Sequence, residues 1–132
     1  MGRKKSDKVR VHFIGENASG VTGSMILVEY KDTQILLECG LHQSNNVKKD
    51  LEINGKKFAF KPRNLKYVFV GHSHIDHIGL IPRLYKEGCT APIITSHESV
   101  EFMPPLLIDS AFIMQRDIET LQRDKRIKKE LT

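Results

Sequence analysis

Apolar and polar positions alternate along Val9-Arg10-Val11-His12-Phe13-Ile14-Gly15 before becoming continuous, which predicts an opening strand. Two further apolar runs, Met25–Tyr30 and Gln34–Cys39, are separated by Lys31-Asp32-Thr33 and read as strands joined by a hairpin-type connection. Tyr67-Val68-Phe69-Val70-Gly71 and Ala91–Ser96 read as strands as well. Between them, Gly79–Glu87 has the spacing of a helix, with Leu80, Ile81, Leu84 and Tyr85 as its apolar stripe, Pro82 in the first turn and Gly88 as the stop. A strand, helix, strand crossing of this length predicts parallel neighbours. From Pro105 onward Leu106, Ile108, Ala111, Phe112, Ile118 and Leu121 recur at helical spacing and predict a core-facing stripe. The polar stretch 45–57 reads as a surface excursion, and Phe58-Ala59-Phe60 as a small strand.

This order of elements predicts one α/β domain, and composition agrees: 132 residues, 39% hydrophobic and 28% charged, are typical of a soluble globular chain. No apolar run approaches the length of a membrane span, and the amino terminus is polar where a secretory signal would be apolar, so no membrane partner is expected and the expected compartment is the cytoplasm. Cys39 and Cys89 have no Cys-x-x-Cys spacing and are expected to pack as small buried residues. The net charge of +5 is compatible with a polyanionic partner, although much of the excess is terminal, including a basic tail over residues 1–8. Lys56, Lys57, Lys61, Arg63 and Lys66 form a second basic cluster, readable as the rim of a site or as a solvated loop. The small, glycine-rich loop 16–24 is not a phosphate-binding loop, because it lacks the Lys-Ser/Thr ending and opens no helix.

Candidate chemistry is concentrated in His72-Ser73-His74-Ile75-Asp76-His77, directly after an apolar strand. Alternate residues of an extended segment share a face, so His72 and His74 can grip one ion. Asp76 and His77 add an oxygen and a third nitrogen, the donors a second nearby ion would need. Imidazole with carboxylate suits zinc, with iron or manganese as substitutes. His97 follows the next strand at the same end and is a candidate extra ligand, although a lone loop histidine is more often solvated or hydrogen-bonded.

The His-x-His-x-Asp-His pattern resembles the signature of the metallo-β-lactamase superfamily, with Gly71 where the family usually has Thr. The flanks resemble its β-CASP branch, the RNA-processing nucleases related to the messenger-RNA cleavage and polyadenylation endonuclease and to ribonuclease J. The segments that carry this resemblance are Val21–Ser24, Leu36-Leu37-Glu38-Cys39-Gly40-Leu41-His42-Gln43, Asp76–Leu84 and Leu107–Ala111. Glu38 stands where the family usually has Asp, Ser44 where Gly is common, and Phe112 where a His often follows Ser-Ala.

The resemblance implies the amino-terminal half of an αββα sandwich, a mixed sheet plus helices. Residues 9–132 would form a partial domain that lacks the carboxy-terminal half and the β-CASP cap. It also implies two zinc ions, His72 and His74 on the first and Asp76 and His77 on the second. Asp76 would in addition orient the nucleophile, and Glu38 would hydrogen-bond a ligand or water. The implied activity is metal-dependent hydrolysis of RNA phosphodiesters in the complete protein, with single-stranded DNA as another substrate and with this chain expected to be inactive alone. Two other readings stay open: hydrolysis of a small ester or thioester, and a non-catalytic truncated paralogue that binds RNA, itself or a partner supplying the missing half.

Overall fold

The computed structural model describes residues 7–14 and 24–124. Most of the basic amino-terminal tail, the glycine-rich loop up to residue 23 and the basic run from residue 125 lie outside the described residues.

Strands β1 (Arg10–Phe13), β2 (Met25–Tyr30), β3 (Thr33–Cys39), β4 (Leu65–Phe69) and β5 (Ile93–Ile94) form one sheet in chain order. The β1–β2 and β2–β3 pairs are antiparallel, and β3–β4 and β4–β5 are parallel, so the sheet is mixed as expected. Lys31 takes a left-handed φ of 52° in the tight β2–β3 hairpin.

Register divides the side chains between two faces. One face carries Leu27, Leu36 and Val68 opposite one another, all buried. Against it pack Ile78 from α2 (Ile75–Ile78), Ile81 and Leu84 from α3 (Ile81–Lys86) and Met103 from α4 (His97–Arg123). The other face carries two continuous cross-strand rows, Val11–Val28–Ile35–Tyr67 and Phe13–Ile26–Leu37–Phe69–Ile94. Neither row packs against the core; Val11 is 52% and Phe13 63% exposed. The described residues thus make one sheet layer with helices on one side, the architecture of half an αββα sandwich.

Several elements differ from the sequence reading. Residues 45–57 contain a helix, α1 (Val47–Asn54), because Asn46 caps it by accepting from the Lys49 N–H and Asp50 takes two bonds from Ser44. Phe58–Phe60 is a bend whose rings stack at 5.3 Å and pack toward the core. Only Ile93–Ile94 of the last expected strand pairs.

Helix α4 begins eight residues before Pro105, where the Ser96 side chain accepts from the Ser99 N–H, and it runs on through Pro104 and Pro105. Buried Ser99 and Met103 anchor those early turns to the body. Its packed side includes Met103, Leu106, Leu107 and Leu121, whereas Ile108 (60% exposed), Ala111 and Phe112 (67% exposed) face outward, so the expected core stripe holds only in part. Among the described residues no helix is long and apolar enough to cross a membrane.

Candidate metal centre

The histidine segment leaves the sheet at the carboxyl end of β4, where Val70 still donates its N–H to Ile94 and accepts from the Thr95 hydroxyl. It then coils into α2, and this segment is fastened backbone to backbone onto the end of β3 and onto Ser24, just before β2. Leu41 N–H bonds Ile75 O at 3.0 Å, Ser24 N–H bonds Asp76 O at 3.0 Å, and Leu80 N–H bonds Cys39 O at 2.9 Å. Gly40 makes this approach possible, since a Cβ there would sit 1.8 Å from the Asp76 carbonyl oxygen. Glycine is thus required at 40 for the motif to lie against β3.

Three imidazoles cluster on this loop. The His72 ring lies 5.0 Å from that of His77 and 6.1 Å from that of His74. His72 and His74 are exposed, and Asp76 and His77 are half-buried. The Glu38 carboxylate reaches in from β3, accepting the Gly71 N–H at 2.6 Å and lying 3.1 Å from His77 Nδ1. A proton on Nδ1, held by that carboxylate, leaves the Nε2 lone pair of His77 directed elsewhere. Nε2 is 3.7 Å from an Asp76 carboxylate oxygen. Two donors about 2.1 Å from one tetrahedral zinc stand about 3.4 Å apart, so this pair is close to ligating separation.

The donor types suit zinc; the His72 ring stands nearer to that of His77 than to that of His74, and the Asp76 carboxylate lies beside His77. Among the described residues, no group of three or more His, Cys, Asp or Glu side chains converges to hold an ion. His97 sits in the exposed first turn of α4, and the ring contacts joining the other three do not include it.

Lys61, Arg63 and Lys66 flank the start of β4, the far end of that strand from the histidines, and all five members of the second basic cluster are exposed. The solvated-loop reading therefore fits that cluster better than the rim reading.

A further polar group escaped the sequence reading. Buried His42 exchanges two backbone bonds with the Asn54 side chain, at 2.7 and 2.9 Å, and its Nε2 lies 3.5 Å from Asp50. These contacts pin the loop after β3 to α1. The only signal for them in the chain was His42 itself, within the segment shared with the β-CASP branch.

Burial, with Cys89 nearby, pushes the Cys39 thiol well above the ordinary range, and burial does the same to the Tyr85 phenol. Cys39 is fully buried in the core, and the Tyr85 hydroxyl donates to the Ala91 carbonyl.

A mixed sheet covered by helices on one face, with a His-x-His-x-Asp-His loop at the carboxyl end of a central strand, defines a class of metal-dependent hydrolases. The model of the metallo-beta-lactamase superfamily matches residues 18–129, and the chain belongs to that superfamily.

Among curated proteins it is similar to Ribonuclease TTHA0252 of Thermus thermophilus, with 33% identity over 74% of this chain and 22% of the relative. It is also similar to the Transcription termination factor FttA of Methanocaldococcus jannaschii, with 29% identity over 83% of this chain and 17% of the relative. Integrator complex subunit 11 of Danio rerio is 31% identical over 65% of this chain and 15% of its own length. The chain thus spans about a fifth of the length of these relatives.

Proposed function

We propose that this chain carries the first part of a two-zinc site for hydrolysis of RNA phosphodiesters, in the manner of the β-CASP nucleases, and that turnover requires ligands outside it. The observation that carries this reading is the cluster of His72, His74 and His77, with Asp76 beside His77 and Glu38 holding the far nitrogen of that ring. Support for RNA comes from relatives named as a ribonuclease and as transcription termination factors.

Zinc, when bound, supplies Lewis acidity toward a phosphodiester oxygen and lowers the pKa of water. His72 and His74, two exposed imidazoles two residues apart, would hold one ion. His77 and Asp76 would hold the other. Glu38 fixes the His77 tautomer, and through the Gly71 N–H it also fixes where the loop leaves β4. Besides serving as a ligand, the Asp76 carboxylate would help orient the attacking water. Two ligands per ion fall short of the three protein ligands usual for catalytic zinc, which is why the chain alone is expected to be inactive.

The test is cleavage of end-labelled single-stranded RNA by the longest polypeptide that carries this segment. Chelator-sensitive cleavage that is abolished by His74→Ala and by Asp76→Asn is expected. Hydrolysis of thioesters without RNA cleavage would support the small-substrate reading, and RNA binding without turnover the non-catalytic one. Cleavage of single-stranded DNA in preference to RNA would move the substrate class.

A further inference from the structure

Residues 55–66 hold five of the chain's 21 lysines and arginines and no aspartate or glutamate. The backbone that carries them is firmly held. Phe60 and Leu65 are buried on either side of a single helical turn, Pro62–Asn64, in which the Asn64 N–H bonds Lys61 O at 2.9 Å. Just upstream, the Arg83 guanidinium of α3 lies 4.8 Å from the centre of the Phe58 ring and donates to Asn54 O at 2.7 Å. Lys57, Lys61, Arg63 and Lys66 are exposed, and none has an ion-pair partner among the described residues, whereas Lys31 and Arg83 do. Arg63 stands beside Gly88, where an added Cβ would lie 3.8 Å from its own, and so reaches the carboxyl end of α3, where Lys86 is exposed as well.

We propose that Lys57, Lys61, Arg63, Lys66 and Lys86 anchor the phosphate backbone of single-stranded RNA at a place separate from the metal centre. This rests on the RNA reading above and adds a second point at which the strand is held. Lys66 and His72 are six residues apart along β4 and its exit, so the patch stands about 20 Å from the histidines at the rise of an extended strand. That exceeds two Debye lengths at physiological salt, so the patch acts on a strand that reaches it and not on the metal centre itself. Unpaired cations on an ordered backbone suit a polyanion, because each phosphate contact releases counterions and no loop has to be ordered first. A lipid surface fits less well, since the large apolar residues of the segment, Phe58, Phe60 and Leu65, are half-buried or buried and cannot insert. For the same reason the segment offers the bases no stacking platform, and binding should not depend on RNA sequence.

The test is binding of a fluorescently labelled, unstructured single-stranded RNA to the longest polypeptide that carries this segment, read by anisotropy in chelator so that nothing is cleaved. One variant combines Lys61→Ala, Arg63→Ala and Lys66→Ala. A charge-matched control combines Lys48→Ala, Lys49→Ala and Arg116→Ala, exposed cations outside the segment, and circular dichroism confirms that each protein is folded. Each phosphate contact on a single strand contributes about 0.7 to the slope of log affinity against log salt, so the first variant should lose about 2 from that slope and bind roughly tenfold or more weakly at low salt. The control should lose less than about half as much. The anchor is overturned if RNA does not bind, if the first variant keeps the slope, if the control loses as much, or if poly-glutamate of equal length binds as tightly as RNA. Patch-dependent binding without cleavage in the assay above would support the anchor and fail the hydrolase reading alone; cleavage with a slope that ignores the patch would do the reverse.

Discussion

Replacing Gly71 with alanine tests how the histidine loop is held, because two departures from the family pattern meet there. Gly71 stands where Thr is usual and Glu38 where Asp is usual, and a Cβ at 71 would lie 2.8 Å from the Glu38 Oε1 atom. The longer acid occupies space that the missing side chain leaves. Gly71 does not use the left-handed region, so alanine there should by itself stabilise the fold by about 0.4–1 kcal/mol through the unfolded chain.

Against that gain, Glu38 must swing away, lengthening its 2.6 Å bond from the Gly71 N–H and its 3.1 Å contact with His77. A hydrogen bond to a charged group is worth about 1.5–3 kcal/mol, discounted here because the carboxylate is partly solvated. The net expectation is destabilisation of about 1 kcal/mol for Gly71→Ala. In a Glu38→Asp background the shorter arm removes the contact, and the same change becomes neutral or stabilising. Urea unfolding of the four proteins, followed by circular dichroism, gives the coupling, expected at about 1–2 kcal/mol. Additivity within about 0.5 kcal/mol would refute the coupling of the two positions.

Other expectations follow from the packing. Leu36→Ala empties a fully buried position between the sheet and its helices and should cost about 2–5 kcal/mol in the same unfolding assay; a loss below 1 kcal/mol would contradict its central place. Cys39 and Cys89 are buried and free, and burial keeps the Cys39 thiol protonated, so alkylation should track global unfolding and not occur in the native protein. The Gln34 side-chain bond, and after it His12, hold the Glu29 carboxyl below its ordinary range. Glu29 therefore contributes stability that is present above the ordinary carboxylate value and is lost as the pH falls through the lower folded value. Gln34→Ala should move the Glu29 titration, read by NMR, upward; an unmoved titration would assign the shift elsewhere.

The parts of the fold legible in the chain were those set by short-range pattern. Strands β2 and β3 appeared where their apolar runs lie, whereas β4 covers Leu65–Phe69, two residues earlier than the expected Tyr67–Gly71. Helix α1 was not legible, because its stabilisation comes from Asn46, Asp50 and Asn54, polar residues that also populate loops. On α4 the apolar positions occupy more than one side, and periodicity alone could not choose between Leu107, which packs, and Ile108, which does not. The Ser96 cap, which starts that helix early, was hidden behind Pro104 and Pro105. At the candidate site, His72, His74, Asp76 and His77 were readable because they lie within six residues. The Glu38–His77 contact spans 39 positions and depends on the parallel β3–β4 pairing, so the chain could suggest the role of Glu38 but not its partner.

Whether the histidine loop binds zinc is tested most directly by following the imidazole resonances of all six histidines by NMR during a zinc titration. Saturable changes confined to His72, His74 and His77, and removed by replacing His72 and His74 together with alanine, are the predicted result. Changes centred on His12, His42 or His97, or no change in the loop histidines, would contradict it.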